Sequence, residues 1–438
     1  MNLAAFAHMR EVATDIFRRT LSDINVHKVL SSRLESTRGV LRICDDLYDL
    51  NRYSRVFVVS MGKAAHPMIE TLAFLTGPMF TGVAVAGDPT QTQVQGVRYF
   101  DGGHPLPSSE SIRAAEVILK ALNSLDRDCL AIFLISGGAS AMIEQAIGPE
   151  ISLGDLIETY RALVHSGAPI GQMNAIRKHL SAVKGGRLAQ AAYPAQQVSV
   201  LVSDVPEHSL DALASGPTMP DSSTISDCYE IARQYDLPER LPASVRTLFE
   251  ARALEETPKN DDPIFVRSRW WTVLSSETAA KSAAKFASAN GFATEIDNAC
   301  DDWDYARAAD YLLDRLRALR QGVSRACIIS AGEVTVRVDR AGARGGRNQQ
   351  FALYCAQKIA GENIAVLSAG TDGIDGNSKA AGAVADGSTV ERARSTGIDP
   401  SSALKNFESA QFFQALGDAV VTGPTGNNVR DLRVLLAW

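Results

Sequence analysis

The chain predicts an α/β protein built of two α/β domains. Three observations carry that reading: alternating strand and helix patterns through the first half, a proline- and charge-rich interruption between Asp236 and Pro263, and a second alternating series beyond it. At 438 residues, 45% hydrophobic and 21% charged, the sequence exceeds one ordinary core and has the composition of a globular protein.

In the first half, short apolar runs at 56–60, 82–86, 130–136 and 198–203 read as buried strands. Helical patterns at 111–122, 153–166 and 173–193 lie between them. Such alternation predicts a mainly parallel, Rossmann-like sheet covered on both faces, assigned to residues 1–250. The second domain, 263–438, is expected to restart with a strand at 270–276. A helix at 277–290, a strand at 292–296, a helix at 304–320, a strand at 326–330 and a hairpin-like segment at 333–338 then follow. This gives a mixed sheet with helices, and a cleft between the domains is the expected place for a shared site.

The net charge of −6 offers no bulk attraction to nucleic acid or an anionic membrane, so any phosphate chemistry must come from local basic groups. Six scattered cysteines without a CxxC pair read as buried thiols in a reducing compartment. The first residues lack a secretory pattern and no stretch is long enough to span a bilayer, so a cytoplasmic location is expected.

Chemistry concentrates where strands end in glycine and a charge. Asp372 and Asp375 stand in Ala369-Gly370-Thr371-Asp372-Gly373-Ile374-Asp375-Gly376, behind the apolar run 364–368. In open α/β sheets, ligands sit at the carboxyl ends of strands, so two acids there suggest a cation site. Lys63, in Ser60-Met61-Gly62-Lys63, opposes the preference of a helix start for anions, which suggests that it and nearby N–H groups share one anion. Ser136-Gly137-Gly138-Ala139-Ser140 is small enough for backbone N–H groups to approach a phosphate, or it is simply a tight connection. It is neither a Walker loop nor a GxGxxG turn.

Four cations fall between Asn174 and Arg187; Lys178 is the expected anion contact, whereas Arg177 and Arg187 are expected in solvent. Asp204 ends a strand before Pro206 and suits a general base or a metal ligand. Arg347, between Gly345-Gly346 and a helix, offers a planar fork for phosphate oxygens. The loop at 422–428, containing Asn427, is a plain turn or a ligand rim. No HxH, HExxH or GxSxG pattern supports zinc or a serine hydrolase.

Taken together, Met61-Gly62-Lys63-Ala64, Gly102-Gly103-His104-Pro105, Ser136-Gly137-Gly138-Ala139-Ser140, Ser203-Asp204-Val205, Gly345-Gly346-Arg347-Asn348-Gln349, Thr371-Asp372-Gly373-Ile374-Asp375-Gly376 and Thr422-Gly423-Pro424-Thr425-Gly426 resemble the glycerate 2-kinase family. Its members are also labelled hydroxypyruvate reductases, and the second half resembles a MOFRL-type domain. The resemblance spans nearly the whole chain in order. It departs at Glu207 and His208, at Ala331 and at Gln350.

The resemblance implies ATP-dependent phosphorylation of D-glycerate at its 2-hydroxyl, with Mg²⁺. It makes Lys63 and Arg347 the main catalytic cations, with Asp204 as base or metal ligand and Asp372 or Asp375 as the metal pole. Ser136, Gly137, Gly138, Ser140, Asn174, Lys178, Glu333, Asn348 and Asn427 are the expected substrate and phosphate contacts. The expected partners are D-glycerate and ATP, with homodimer formation allowed and neither nucleic acid nor membrane involved.

Overall fold

The computed structural model describes residues 3–87, 92–338 and 342–438, with only the backbone at Glu207 and His208. The chain divides into two compact units: Val26–Val273 on one side, and Leu274–Trp438 together with Met1–Asn25 on the other.

The first unit is organised by a six-stranded sheet. Its two central strands are Arg55–Met61 and Cys129–Ser136, paired in parallel. On one side follow Thr81–Ala86 and Val97–Asp101; on the other, Gln196–Val202 and Ser268–Leu274. The chain thus winds outward from the middle in both directions, which places a topological switch point between the two central strands. All eight residues of Cys129–Ser136 are buried, the pattern of a strand covered on both faces. A small antiparallel sheet of Leu34–Thr37, Val40–Ile43 and Asp46–Asp49, too short in its strands to show in the apolar pattern, precedes the main one.

The second unit carries a mixed sheet in the order Ala293–Ile296, Ala326–Ala331, Asp431–Ala437, Ile364–Gly370, Gly382–Asp386, Ala419–Val420. Only the first pair is parallel. Asp431–Ala437 runs antiparallel to both of its neighbours, so its first residues lie between the carboxyl ends of Ala326–Ala331 and Ile364–Gly370. That register decides the site, because Asp431 pairs with Gly370 and Leu432 with Ala331.

The expected fold class holds, with four local differences. The strand expected to open the second domain, Ser268–Leu274, is the sixth strand of the first sheet, and the helix Leu3–Asp23 belongs to the second unit, so the expected boundary at 250–263 is displaced. The helix expected over 173–193 is two helices, Ile170–His179 and Arg187–Ala192, because Gly185 and Gly186 both take positive φ. The segment 333–338 forms no strand and contributes only a parallel bridge from Thr335 to Asp304.

Candidate active site

At the switch point of the first sheet, two loops lock together. Ser136 Oγ accepts from the Ala64 N–H at 2.9 Å and donates to the Met61 carbonyl at 3.2 Å. The Lys63 N–H donates to the Gly137 carbonyl at 2.9 Å. Gly62 has φ +106°, and a β-carbon there would sit 2.4 Å from the Ser136 carbonyl, so only glycine fits. Ser136 is therefore a buried fastener between the loops, and the N–H groups of Lys63 and Ala64 are engaged in the same lock.

Among the described residues, no hydrogen-bond acceptor engages the N–H groups of Gly137 and Gly138. Gly138, at φ +86°, leads into the short helix Ala139–Met142. The stem of Lys63 crosses this turn: a β-carbon at Gly138 would meet Lys63 Cγ at 3.2 Å and His104 Cδ2 at 3.3 Å. Lys63 itself is exposed. Asp204, half-buried, rests its carboxylate on the α-carbon of Gly137, where a β-carbon would lie 1.9 Å from Oδ2. The first unit thus gathers Lys63, His104, Gly137, Gly138 and Asp204. Partial burial, and then the Lys63 ammonium, hold the His104 imidazole below its usual pKa. Ser140 joins through Ser215, with Oγ–Oγ 2.8 Å, and Ser215 lies in a run of three left-handed residues, Ala214, Ser215 and Gly216.

Lys178 is not held towards this group. Its ammonium is buried and pairs with Asp211 and Asp221, each at 3.0 Å, so its charge is engaged within the protein. Asn174, one turn earlier, is half-buried. The expectation that Arg177 and Arg187 are solvated fails. Arg187 is buried and donates to the Glu255 and Glu256 carbonyls, and Arg177 is half-buried over the Tyr160 ring, 4.8 Å from its centroid.

In the second unit, a pocket of about 650 Å³ is lined by Glu333, Arg347, Asn348 and Asp372, with Val334 and Phe407 among its apolar walls. Arg347 starts the helix Arg347–Lys358. Its Nε and Nη2 grip the Asp431 carboxylate at 2.5 and 3.2 Å, and Nη2 also reaches Glu333 Oε1 at 2.7 Å. Burial disfavours the guanidinium charge, but the Asp431 and Glu333 carboxylates outweigh it and hold the Arg347 pKa above its usual value. Burial raises the Glu333 carboxyl pKa against the pull of Arg347.

The two acids of the Asp372–Asp375 turn have different tasks. Asp375 is buried and accepts from the N–H groups of Asn348 and Gln349 at 3.0 and 2.8 Å, one on each oxygen. It caps the helix that carries Arg347, a duty that Gly346 cannot perform. Asp372 is half-buried at the pocket wall, with Oδ1 accepting from the Ile374 N–H at 3.0 Å. Asn348 is buried: its amide donates to Asp375 and its Oδ1 accepts from Ser368 at 2.6 Å. Asn427 is also buried and donates to the Leu21 carbonyl of the first helix at 3.3 Å. Asp431, which anchors Arg347, was not among the expected site residues, although an acid opening the apolar run 431–437 was its signal. Among the described residues, no group of three or more His, Cys, Asp or Glu is arranged to hold a metal ion.

Fold and site together define a two-unit α/β protein with a glycine loop, crossed by Lys63, at the switch point of its parallel sheet and an arginine-bearing pocket in its mixed-sheet unit. Two family models match the chain: one described as a domain of unknown function, DUF4147, over residues 12–250, and the MOFRL family over 326–431. The chain belongs to the glycerate 2-kinase family, as its motifs suggest. A D-glycerate 2-kinase from Thermotoga maritima is 34% identical over 86% of this chain and 89% of its own length. An Agrobacterium vitis protein with a provisional hydroxypyruvate reductase name is 34% identical over 96% of both. The crystal structure of a glycerate kinase from Thermotoga maritima matches with a TM-score of 0.86 at 30% identity, over 99% of this chain and 100% of the other.

Proposed function

We propose that the protein phosphorylates D-glycerate at its 2-hydroxyl, with ATP as donor. The observation that carries this reading is the exposed Lys63 lying across the Gly137–Gly138 turn, beside Asp204, in a chain whose relatives include proteins named glycerate 2-kinases. Phosphoryl transfer needs alignment, neutralisation of developing charge and an acceptor for the hydroxyl proton. Lys63 and the glycine N–H groups bind phosphoryl oxygens, Arg347 supplies the second cation, and the Asp204 carboxylate takes the proton of the 2-hydroxyl. Asn174, rather than the paired Lys178, is left to hold the glycerate carboxylate.

Mg²⁺ requires only one or two carboxylates beside phosphates and water, and that sparse demand fits Asp372 at the pocket wall. Asp375 fits it less well, since both of its oxygens serve the helix start. When bound, the ion would neutralise phosphate oxygens.

Incubation with D-glycerate, ATP and Mg²⁺, followed by ³¹P NMR, tests the proposal; 2-phosphoglycerate is the expected product. NADH oxidation with hydroxypyruvate and no ATP turnover would overturn it in favour of a reductase. The glycine turns at Gly62 and Gly137–Gly138 lack the spacing of a dinucleotide fingerprint, which argues against that outcome.

A further inference from the structure

The two carboxylates on Arg347 are not equivalent. Asp431 lies behind the guanidinium, with a side chain only 3% exposed, and takes the Nε–Nη2 edge of the fork with both oxygens. Glu333 reaches Nη2 from the pocket side, and its side chain is 34% exposed. An arginine fork has two edges able to grip a phosphate or carboxylate, and they share Nη2. With Asp431 on one edge, a ligand can use only the edge ending in Nη1, and Glu333 already sits on the shared atom.

We infer that Asp431 is a positioning residue that fixes the fork, while Glu333 is an exchangeable internal anion that a phosphoryl group must displace to reach Arg347. Asp431 is suited to permanence. It opens a strand paired on both sides, and a second arginine, Arg433, fully buried, lies 3.9 Å from its carboxylate. Glu333 is suited to exchange: it follows Gly332 (φ +110°), outside any strand, and it lines the same pocket as Arg347. The arrangement keeps a partly desolvated arginine paired, and it makes the arrival of the phosphoryl group and the departure of Glu333 one event. This extends the kinase reading to how its second cation is controlled, and it rests on that reading for the identity of the ligand.

The test is calorimetric titration of the full-length protein with inorganic tripolyphosphate, without glycerate or nucleotide, so that it does not depend on turnover. Glu333→Gln should tighten binding roughly two- to fivefold, the range of a half-exposed ion pair. Asp431→Asn should weaken it about tenfold, although it too removes a negative charge, because the fork loses a charged double hydrogen bond. In an Arg347→Ala background, Glu333→Gln should change nothing.

The inference is overturned if Glu333→Gln binds no tighter than wild type, or tightens equally without Arg347. Equal tightening by both single variants would reduce the effect to bulk charge and remove the positioning role. Should Asp431→Asn fail to fold by circular dichroism, Asp431→Glu replaces it: a carboxylate one carbon longer must shift the fork, and unchanged affinity then sinks the positioning role. The expected signs without any glycerate phosphorylation would dispose of the kinase reading alone. Glycerate phosphorylation without those signs would dispose of this inference alone.

Discussion

His104 and Lys63 illustrate how single residues acquire properties from neighbours far away in sequence. Both approach Gly138, and the ammonium adds to burial in lowering the imidazole pKa. Lys63→Ala should therefore move the His104 titration upward by NMR; an unmoved titration would mean that the ammonium does not sense the ring. The same variant should lose glycerate phosphorylation by at least about a hundredfold while melting near the wild-type temperature, as expected for an exposed residue acting on transition-state charge. Asp375 carries a different signature. Burial raises its pKa to about 6, against the pull of the Gln349 and Asn348 N–H donors. A carboxyl that binds its proton more tightly when folded contributes stability that is complete below the unfolded pKa of about 4 and is lost as pH rises through about 6. Urea midpoints of the wild type should fall across that window, and Asp375→Asn should flatten the fall.

At the scale of elements, connections hold the glycine loop more than the elements themselves do. Glu144 follows the short helix Ala139–Met142 and is fully buried with Lys184, which lies just before the Gly185–Gly186 break. Ser181 donates to the same carboxylate at 2.6 Å, and the Tyr160 hydroxyl donates to it as well. From Lys184 the chain continues to Gly185 and Gly186, whose N–H groups bond the Ser215 and Gly216 carbonyls. Ser215 in turn holds Ser140. Glu144 is thus tied both to the loop's exit and to the turn that faces it. Glu144→Gln would leave the Lys184 charge buried without a counter-charge, a loss of about 3–5 kcal/mol, read as a lowered urea midpoint. Replacing both members by methionine should recover much of that stability, because the pair's desolvation cost disappears with it.

At the scale of the whole molecule, the first helix is an integral part of the second unit. Leu3–Asp23 buries Phe6, Met9, Ala13, Ile16 and Phe17, and Arg10 pairs with Asp386 and Asp418. A chain beginning at residue 26 should lose the cooperative melting of the second unit while the parallel sheet of the first still folds; two unchanged transitions by calorimetry would refute this. The amphipathic pattern of the helix was plain in the sequence, but its destination was not. An apolar stripe states that a surface must be covered, not which surface covers it.

What the sequence by itself determined were local properties. Apolar runs ending in glycine placed strand ends at Lys63, Ser136 and Asp372, a run stopped by Pro206 placed one at Asp204, and the motif order identified the family. Periodicity also marked the helices near 111–122, 153–166, 277–290 and 304–320, but it ran two together across Gly185 and Gly186 and did not mark the shorter ones at 225–234, 243–250 and 389–416. Only the tertiary structure decided which groups meet. Strand order put Lys63 and Gly137 at one switch point, and the antiparallel register of 431–437 drove Asp431 between two strand ends and onto Arg347. It also separated the two acids of the turn at 369–376: both oxygens of Asp375 cap the helix, and Asp372 stands half-buried at the pocket wall. The reason is physical. Propensity and periodicity act within a few residues, whereas pairing register and counter-charge are settled by partners that the chain brings together only when it folds.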